Sequence, residues 1–321
     1  MKRLLSSVVT AAAVLAIAAA ASRVYGQAQG QVPRGHGTGK AGEPPRGPRG
    51  AIINTPPAAG GNGGAPAFFS PGPPHKPGGP VQRLSDGHPD LQGFWNAANN
   101  GGAVYEIQNH PTPKPGVPAG RGAIVDPPDG YLPYLNWAAA KAKNNFEHDL
   151  AAEPELHCEL SGIPKQMYVQ FGFQILQPPG YVVMTWEFMH AYRIIPTDNR
   201  PHISPDIKLF EGDSVGHWEG STLVVDTTNL NDRTWLDAVG NFHSDVEHVV
   251  ERFTPVDSNT IRYEAFVEDY KVFTAPWRIA MDLYRNTEPN YEQMEFACIE
   301  GNQDLQHYTK DKGGSADVKL K

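Results

Sequence analysis

Cysteine is scarce in this 321-residue chain, which contains only Cys158 and Cys298. Neither belongs to a Cys-x-x-Cys pair or to a zinc-ligand pattern, so the sequence does not favour a dithiol redox protein or a structural zinc domain. In an oxidising compartment, two cysteines within one folded domain most simply form a disulfide. We therefore predict a Cys158–Cys298 disulfide, with two buried free thiols as the alternative.

The chain has no cluster of basic residues after its first few positions. Its formal net charge is −8 at pH 7 and its pI is about 5.8. Nucleic acids and anionic membrane surfaces bind through clustered Lys and Arg side chains. The charge pattern therefore excludes both as partners and leaves a small-molecule ligand as the predicted partner.

The familiar catalytic and cofactor motifs are also missing. The sequence has no Walker loop, dinucleotide fingerprint or His-Glu-x-x-His pattern. Residues 212–216, Gly-Asp-Ser-Val-Gly, have the spacing of a nucleophile elbow, but that elbow needs a strand–turn–helix context. Here a Trp-Glu-Gly turn and another strand follow, so we interpret the segment as a polar loop. We predict no cofactor and no metal site.

Only one long hydrophobic run is present, from Leu4 to Ala21, directly after Met1-Lys2-Arg3. A short basic start, an apolar run and small residues near position 26 form the layout of a secretory signal peptide. We predict a signal peptide over residues 1–26, with an uncleaved anchor as the alternative. No membrane insertion is expected after its removal, so we predict a periplasmic or secreted protein.

Glycine and proline dominate residues 27–82. Such a composition buries too little apolar surface to offset the entropy lost on ordering. We predict a disordered linker over this range, with His75 as a solvated side chain within it. The folded domain is then expected to span residues 83–321.

Short runs rich in aromatic and β-branched residues, separated by turn sequences, fill most of that domain. Only residues 134–150 are typical of a helix. Strands without intervening helices predict a mainly β fold, an antiparallel lipocalin-like barrel or sandwich with one helix and long loops. The predicted strands are 91–96, 168–177, 181–195, 222–228, 246–254, 260–268, 277–284 and 294–299.

Two sequence patterns make the fold prediction more specific. Alternation along 277–284 predicts a core face of Trp277, Ile279, Met281 and Leu283. Residues 91–96, Leu-Gln-Gly-Phe-Trp-Asn, resemble the Gly-x-Trp signature of lipocalins, in which a tryptophan closes one end of the barrel. An ordinary core tryptophan beside a turn glycine is the alternative.

Longer phrases resemble a large group of exported, uncharacterised proteins of soil-dwelling Gram-negative bacteria. They include HPDLQGFW at 88–95, HCELSGIPKQ at 157–166 and PPGYVVMTWEFMHAYRII at 178–195. The likeness covers nearly all of the chain after the linker. It implies export but no particular reaction, cofactor or catalytic residue.

The strand predicted at 181–195 contains the first candidate site. Counted by alternation, Trp186, His190 and Tyr192 share one face, and Glu187 and Arg193 share the other. A histidine among aromatic residues can act as an acid or base near neutral pH. We assign His190 and Glu187 as candidate catalytic residues and Trp186, Tyr192 and Arg193 as candidate ligand-binding residues. A structural histidine and a structural ion pair are the alternatives.

The long loop at 229–245 contains the second candidate site. It brings Trp235, Asp237 and His243 into one segment, and long loops between strands often bind or cover ligands. We assign Asp237 and His243 as candidate catalytic residues and Trp235 as a candidate ligand contact. A hydrogen-bonded loop that caps the barrel is the alternative.

Together these features predict a barrel that binds a small apolar or aromatic ligand in an aromatic-lined cavity. The alternative is an acid/base enzyme, an isomerase, hydratase, lyase or hydrolase, that acts on such a ligand in the same cavity.

Overall fold

The computed structural model describes residues 75–98, 103–112, 119–169, 171–296 and 298. The predicted signal peptide (1–26) and residues 27–74 of the predicted linker lie outside these ranges. The described strands are β1 (Gly93–Ala97), β2 (Ile124–Asp126), β3 (Phe173–Leu176), β4 (Tyr181–Trp186), β5 (Tyr192–Pro196), β6 (Asp213–Glu219), β7 (Thr222–Thr228), β8 (His248–Asp257), β9 (Thr260–Glu268) and β10 (Trp277–Arg285). Helix α1 (Asn136–His148) confirms the helix prediction.

The strands form one antiparallel sheet that curls into a nearly closed barrel. Its order is β5-β4-β3-β1-β10-β9-β8-β7-β6, and β2 pairs with β10. The two end strands approach each other, because a Cβ atom on Gly216 of β6 would lie 2.9 Å from Ile195 Cγ2 of β5. The antiparallel barrel, one of the two predicted architectures, is therefore confirmed.

Arg193 joins the two ends of this sheet from inside the barrel. From β5, its Nε donates to Ser214 Oγ on β6 (2.8 Å), and its Nη2 donates to Thr227 Oγ1 on β7 (2.5 Å). Both Nη groups also donate to the Glu251 carboxylate on β8, which accepts a further hydrogen bond from the Tyr263 hydroxyl (3.0 Å). One buried guanidinium thus links four strands across the seam.

Apolar side chains pack the rest of the barrel. The predicted core face of β10 is confirmed, since Trp277, Ile279, Met281 and Leu283 are each at most 2 % exposed. They belong to one hydrophobic cluster with inward side chains of the other strands, among them Phe173, Met184, Trp186, Val225, Val249, Phe253 and Ala265. The aromatic side chains expected to line a ligand cavity therefore pack against one another.

Trp95 lies at the end of the barrel where the β8–β9 hairpin turns. It is 1 % exposed, its Nε1 donates to the Leu91 carbonyl (2.8 Å), and the Arg285 guanidinium lies 4.3 Å above its ring. Gly93 has a φ of +129°, and a Cβ atom there would lie 2.1 Å from Arg285 Nη1. The Gly-x-Trp spacing therefore leaves room for an arginine that covers the tryptophan. We call this end the closed end.

Two layers cover the opposite end, which we call the capped end. Loop 229–247 lies over the strands, and α1 packs on that loop. Trp137 of α1 contacts Phe242 (ring centroids 5.9 Å apart), and Asn145 Nδ2 donates to the Gly240 carbonyl (3.0 Å). Gly240 has a φ of +93°, and a Cβ atom there would lie 2.5 Å from Asn145 Cβ, so the close approach of helix and loop requires glycine.

Residues 75–90, which we call the N-terminal strap, run across the hairpin turns of the closed end. His75 stacks on Tyr284 (centroids 3.9 Å apart), so its prediction as a solvated side chain is wrong. Gly79 exchanges two hydrogen bonds with Ser258 in the β8–β9 turn. Farther along, the His88 ring stacks on Trp218 of β6 (4.6 Å). The last residues of the predicted linker therefore contact the barrel.

The strand predicted over 181–195 is wrong in its central part. β4 ends at Trp186, a 3₁₀ turn spans Phe188–His190, and β5 then folds back beside β4. Met189 and His190 adopt positive φ angles of 57° and 51°, which break the extended chain. The alternation counted through this segment therefore fails after Trp186.

Other strand boundaries also differ from the predictions. The segment 168–177 is a strand only over β3, and the described residues 291–296 form no strand. Residues 213–219, interpreted from the sequence as a loop and a turn, form β6. The Gly212–Gly216 segment is therefore not a loop. The Ser214 side chain points inward, where its hydroxyl accepts a hydrogen bond from Arg193.

The predicted disulfide is confirmed, because Cys158 and Cys298 are bonded. It ties the segment that precedes β3 to the segment that follows β10. Among the described residues, no helix is both long and apolar enough to cross a membrane.

Replacing Arg193 by methionine should strongly destabilise the barrel, because it leaves the Glu251 carboxylate buried without its cation. Breaking a buried ion pair from one side costs about 3–5 kcal/mol, which urea denaturation of the variant would measure. Arg252→Met, which removes the exposed Arg252–Glu219 pair, is the matched control and should change stability far less. Equal stability of the Arg193→Met variant and the parent would contradict this role.

Candidate functional site

Three of the predicted site residues, His190, Glu187 and Tyr192, lie on the outer surface, and the first two contact residues 294–295. His190 is about half exposed, and its Nε2 lies 3.5 Å from Glu295 Oε1. The Glu187 carboxylate accepts a hydrogen bond from the Met294 backbone (3.3 Å), and Tyr192 is 66 % exposed. The prediction that His190 shares an enclosed face with Trp186 is therefore wrong, because the strand between them is interrupted.

Two more predicted site residues are buried in the barrel. Trp186 is 3 % exposed and stacks on Phe173, with ring centroids 5.3 Å apart. Arg193 faces inward, opposite to Tyr192, and its partner is Glu251 rather than Glu187. Both side chains are engaged in the core and the seam.

Asp237 organises the loop over the capped end. It is fully buried, and its carboxylate accepts hydrogen bonds from the backbones of Ile107, Val239 and Asn241 and from the Asn241 amide. Burial raises the pKa of Asp237 to about 6, although these four donors favour the carboxylate. Trp235, half-buried, pairs with Phe242 across the same loop. The contacts of Asp237 are therefore those of the alternative given above, a hydrogen-bonded loop that caps the barrel.

His243 sits at the centre of a buried row of three side chains. Its Nε2 lies 2.6 Å from Thr234 Oγ1, and its Nδ1 lies 3.0 Å from Glu247 Oε2. Burial lowers the pKa of His243, but the adjacent Glu247, together with the Ser244 carbonyl and Asp269, more than offsets this and raises it. The order hydroxyl, imidazole, carboxylate is that of a catalytic triad. However, Thr234 and His243 are only 1 % and 3 % exposed, so the surface gives a substrate no direct access to them.

A partly exposed cluster of ionisable groups lies beside this row, at the rim of the capped end. Two depressions of about 320 Å³ and 410 Å³ meet at Val246 and His248, and we call them together the rim groove. The first depression is also lined by His202, Ile203, Pro205, Lys208, Thr228, Asn229, Asp245 and Glu247. The second is also lined by Glu268, Asp269, Tyr270, Phe273, Thr274, Ala275 and Pro276.

A row of hydrogen-bonded side chains borders the rim groove. His202 Nδ1 lies 2.7 Å from Asp213 Oδ2, and His202 Nε2 lies 3.0 Å from Asp226 Oδ1. His248 Nε2 lies 3.1 Å from both Asp226 oxygens, and its Nδ1 lies 3.8 Å from Glu268 Oε2. Asp226 thus joins two imidazoles that both line the groove.

The strand register explains why these side chains meet. Asp226 of β7 lies opposite Val250 of β8, so His248 is its diagonal neighbour on the outer face. His248 in turn lies opposite Glu268 of β9. Outward side chains of three neighbouring strands therefore converge at one rim.

The contact with Asp226 changes the acid–base behaviour of His248. Its hydrogen bond to the carboxylate raises the pKa of His248, and burial opposes this only in part. The same hydrogen bond lowers the pKa of Asp226. The pair therefore stabilises the fold most at pH values between the ordinary pKa of aspartate, about 3.9, and that of histidine, about 6.5. This contribution is lost as the pH rises through the raised pKa of His248 or falls through the lowered pKa of Asp226.

His202, Asp226 and His248 were not predicted as a group from the sequence. Alternation along 246–254 already places His248 on the face opposite Val249. Pairing of that strand with 222–228 would have brought Asp226 beside it. The missing information was the register between the strands, which a single sequence does not contain.

No family model matches the chain, and neither a curated protein nor a solved structure matches it. Within the described ranges, no group of three or more His, Cys, Asp or Glu side chains is arranged to hold a metal ion. The geometry of the rim groove is therefore the basis for a functional proposal.

Replacing Asp237 by alanine should unfold or loosen the loop over the capped end. Four donors lose their acceptor, and each buried donor left unpaired costs about 1–3 kcal/mol, so the loss should be at least about 4 kcal/mol. Urea denaturation would measure it. Asp232→Ala changes an exposed carboxylate in the same loop and should have little effect. A small loss for Asp237→Ala would show that the loop does not depend on this side chain.

Replacing Asp226 by asparagine should lower the pKa of His248, because the carboxylate that favours the charged imidazole is gone. A pH titration followed by NMR of the imidazole C–H signals would measure the change. Asp232→Asn should leave the His248 titration unchanged. The assignment would be refuted by a His248 pKa that is the same in Asp226→Asn and the parent.

Proposed function

We propose that the protein is an exported barrel protein that binds a small apolar or aromatic molecule in the rim groove. The observation that carries the proposal is the meeting of the two depressions at His248. Ligand sites have volumes of about 300–1,000 Å³ and combine apolar walls with a few polar groups. The volumes of the two depressions, about 320 Å³ and 410 Å³, fall in this range.

The second depression supplies the apolar wall. Tyr270 is 76 % exposed, and it lies beside Phe273, Ala275 and Pro276 in the lining. An exposed tyrosine offers an aromatic face with few rotatable bonds, and aromatic pairs contribute about 0.5–1.5 kcal/mol beyond the area that they bury. A ring lying against Tyr270 would remove this face from water.

Polar side chains line both depressions. Lys208 and Asn229 lie in the first, and Glu268 and Asp269 lie in the second. A ligand that spans both depressions would place a polar substituent near these groups and its ring near Tyr270. The polar groups favour a substituted aromatic molecule over a plain hydrocarbon.

Two features support export to the periplasm or beyond. The first is the signal-like pattern of residues 1–26. The second is the disulfide between distant segments, because disulfides persist mainly in oxidising compartments.

An acid/base enzyme acting on the same kind of ligand is the second candidate. The row His202–Asp226–His248 favours it, since a carboxylate that orients and charges an imidazole is typical of general acid–base sites. An isomerase, hydratase, lyase or hydrolase would use His248 to move a proton on a molecule bound in the groove. His243 has no such access, so it is not the proton donor in this mechanism.

Titration of the full chain with the aromatic anion 1-anilinonaphthalene-8-sulfonate tests the binding site. Tyr270→Ala should weaken binding about threefold to tenfold, the equivalent of one lost aromatic contact. Tyr192→Ala, which removes a similarly exposed tyrosine outside the groove, should leave the affinity unchanged. Binding that depends on Tyr192 and not on Tyr270 would move the site elsewhere.

His248→Gln separates the two candidate functions. Aromatic molecules that bind are incubated with the protein, and their conversion is followed by mass spectrometry. For a binding protein, no conversion occurs and the variant still binds. For an acid/base enzyme, conversion is lost in His248→Gln and kept in His217→Gln, which changes an exposed histidine outside the groove.

A further inference from the structure

Several buried polar atoms at the capped end have no hydrogen-bond partner within the described chain. Gln166 is 0 % exposed, and both atoms of its side-chain amide are unpartnered. Ser161 is 2 % exposed with an unpartnered Oγ, and Glu211 is 9 % exposed with an unpartnered Oε2. Buried side-chain polar atoms are satisfied in the large majority of cases, so four such atoms together need an explanation.

Two of these side chains, Ser161 and Gln166, belong to one turn, residues 161–166. The Gly162 backbone follows Ser161 and donates to Glu211 Oε1 (3.2 Å). The Gln166 backbone N–H closes the turn by donating to the Gly162 carbonyl (2.7 Å). The Gly162 backbone therefore joins Glu211 to the turn that contains Ser161 and Gln166.

Two groups of polar side chains flank this turn. On one side, Gly162 packs against Thr234, since a Cβ atom on the glycine would lie 2.5 Å from Thr234 Oγ1, and Thr234 contacts His243. On the other side, Glu211 interacts electrostatically with Arg193 and Glu251 of the seam. The turn and Glu211 therefore lie between the polar side chains of loop 229–247 and those of the seam inside the barrel.

We propose that the turn 161–166 and Glu211 form an internal binding site for a hydroxyl-bearing guest, either water or a small alcohol. The site offers acceptors at Gln166 Oε1 and Glu211 Oε2, a donor at Gln166 Nε2, and a hydroxyl on Ser161 that can do both. A guest must therefore donate and accept at once, as a hydroxyl group does. A buried water commonly makes two to four such bonds, roughly three on average.

The charge state of Glu211 is consistent with this guest. Burial raises its pKa to about 7, so the carboxyl is shared between its neutral and charged forms near neutral pH. A neutral carboxyl can donate as well as accept, and either form can hydrogen-bond to a hydroxyl group. The site lies inside the cap and is distinct from the rim groove, so it does not depend on the proposed function.

The variant Gln166→Met should change the melting temperature in one direction if the site holds a guest and not if the site is empty. Methionine has a similar length but no hydrogen-bonding amide. If a guest bonds to the amide, the variant should melt at least about 3 °C below the parent. If the amide is truly unsatisfied, its removal should leave the melting temperature unchanged or raise it, and the proposal is then wrong. Gln177→Met shows the loss expected when an amide has protein partners, here Leu91 and Pro89.

If Gln166→Met does not fold, two measurements on the full chain and on its Ser161→Ala variant test the proposal instead. Oxygen-17 relaxation dispersion detects long-lived internal water, and native mass spectrometry detects a retained small alcohol. Long-lived water whose signal falls in Ser161→Ala identifies water as the guest. An added mass that this variant loses identifies an alcohol. If Ser161→Ala changes neither signal, the site holds no guest.

Discussion

The buried pairing of Arg193 with Glu251 is the interaction on which the barrel depends. The sheet's hydrogen-bonded ladder ends at β5 and β6, so backbone pairing does not close the cylinder. Arg193 reaches across this gap to side chains on β6, β7 and β8. A buried ion pair is favourable only when further hydrogen bonds satisfy both ions. Ser214, Thr227 and Tyr263 provide those bonds, so the seam is a set of five side chains acting together.

Much of the β architecture could be predicted because its signals are local. The segment 260–268 alternates strictly, and it forms β9 with the predicted boundaries. The inward residues of β10 followed from the same rule. β6 was missed because Gly216 within it, and Gly212 and Gly220 on either side of it, resemble turn residues. Gly216 is instead a place where β5 passes so closely that a larger side chain would collide with Ile195. This contact is between strands that are distant in the chain, so the local sequence around Gly216 does not reveal it.

The candidate site was harder to predict for two physical reasons. The first is the break at Met189 and His190, which contains neither glycine nor proline. Without a turn residue to mark it, alternation counted through the segment placed His190 beside Trp186 and reversed the facing of Arg193. The second reason is burial. The composition of loop 229–245 indicated that its polar residues act together. It did not indicate that Asp237 and His243 are buried, because their burial depends on how the loop and helix α1 pack over the capped end. The exposed histidines at the rim depend on strand register instead.

The position of the N-terminal strap bears on where a bound partner would lie relative to the rim groove. The strap crosses the turns of β6–β7 and β8–β9, whereas the rim groove lies at the other ends of those strands. β8 has ten residues, and a strand rises about 3.3 Å per residue, so roughly 30 Å separates the two. Residue 75, where the described chain begins, therefore lies at the pole opposite to the groove. A partner bound to the strap itself would leave the mouth of the groove open to diffusing molecules.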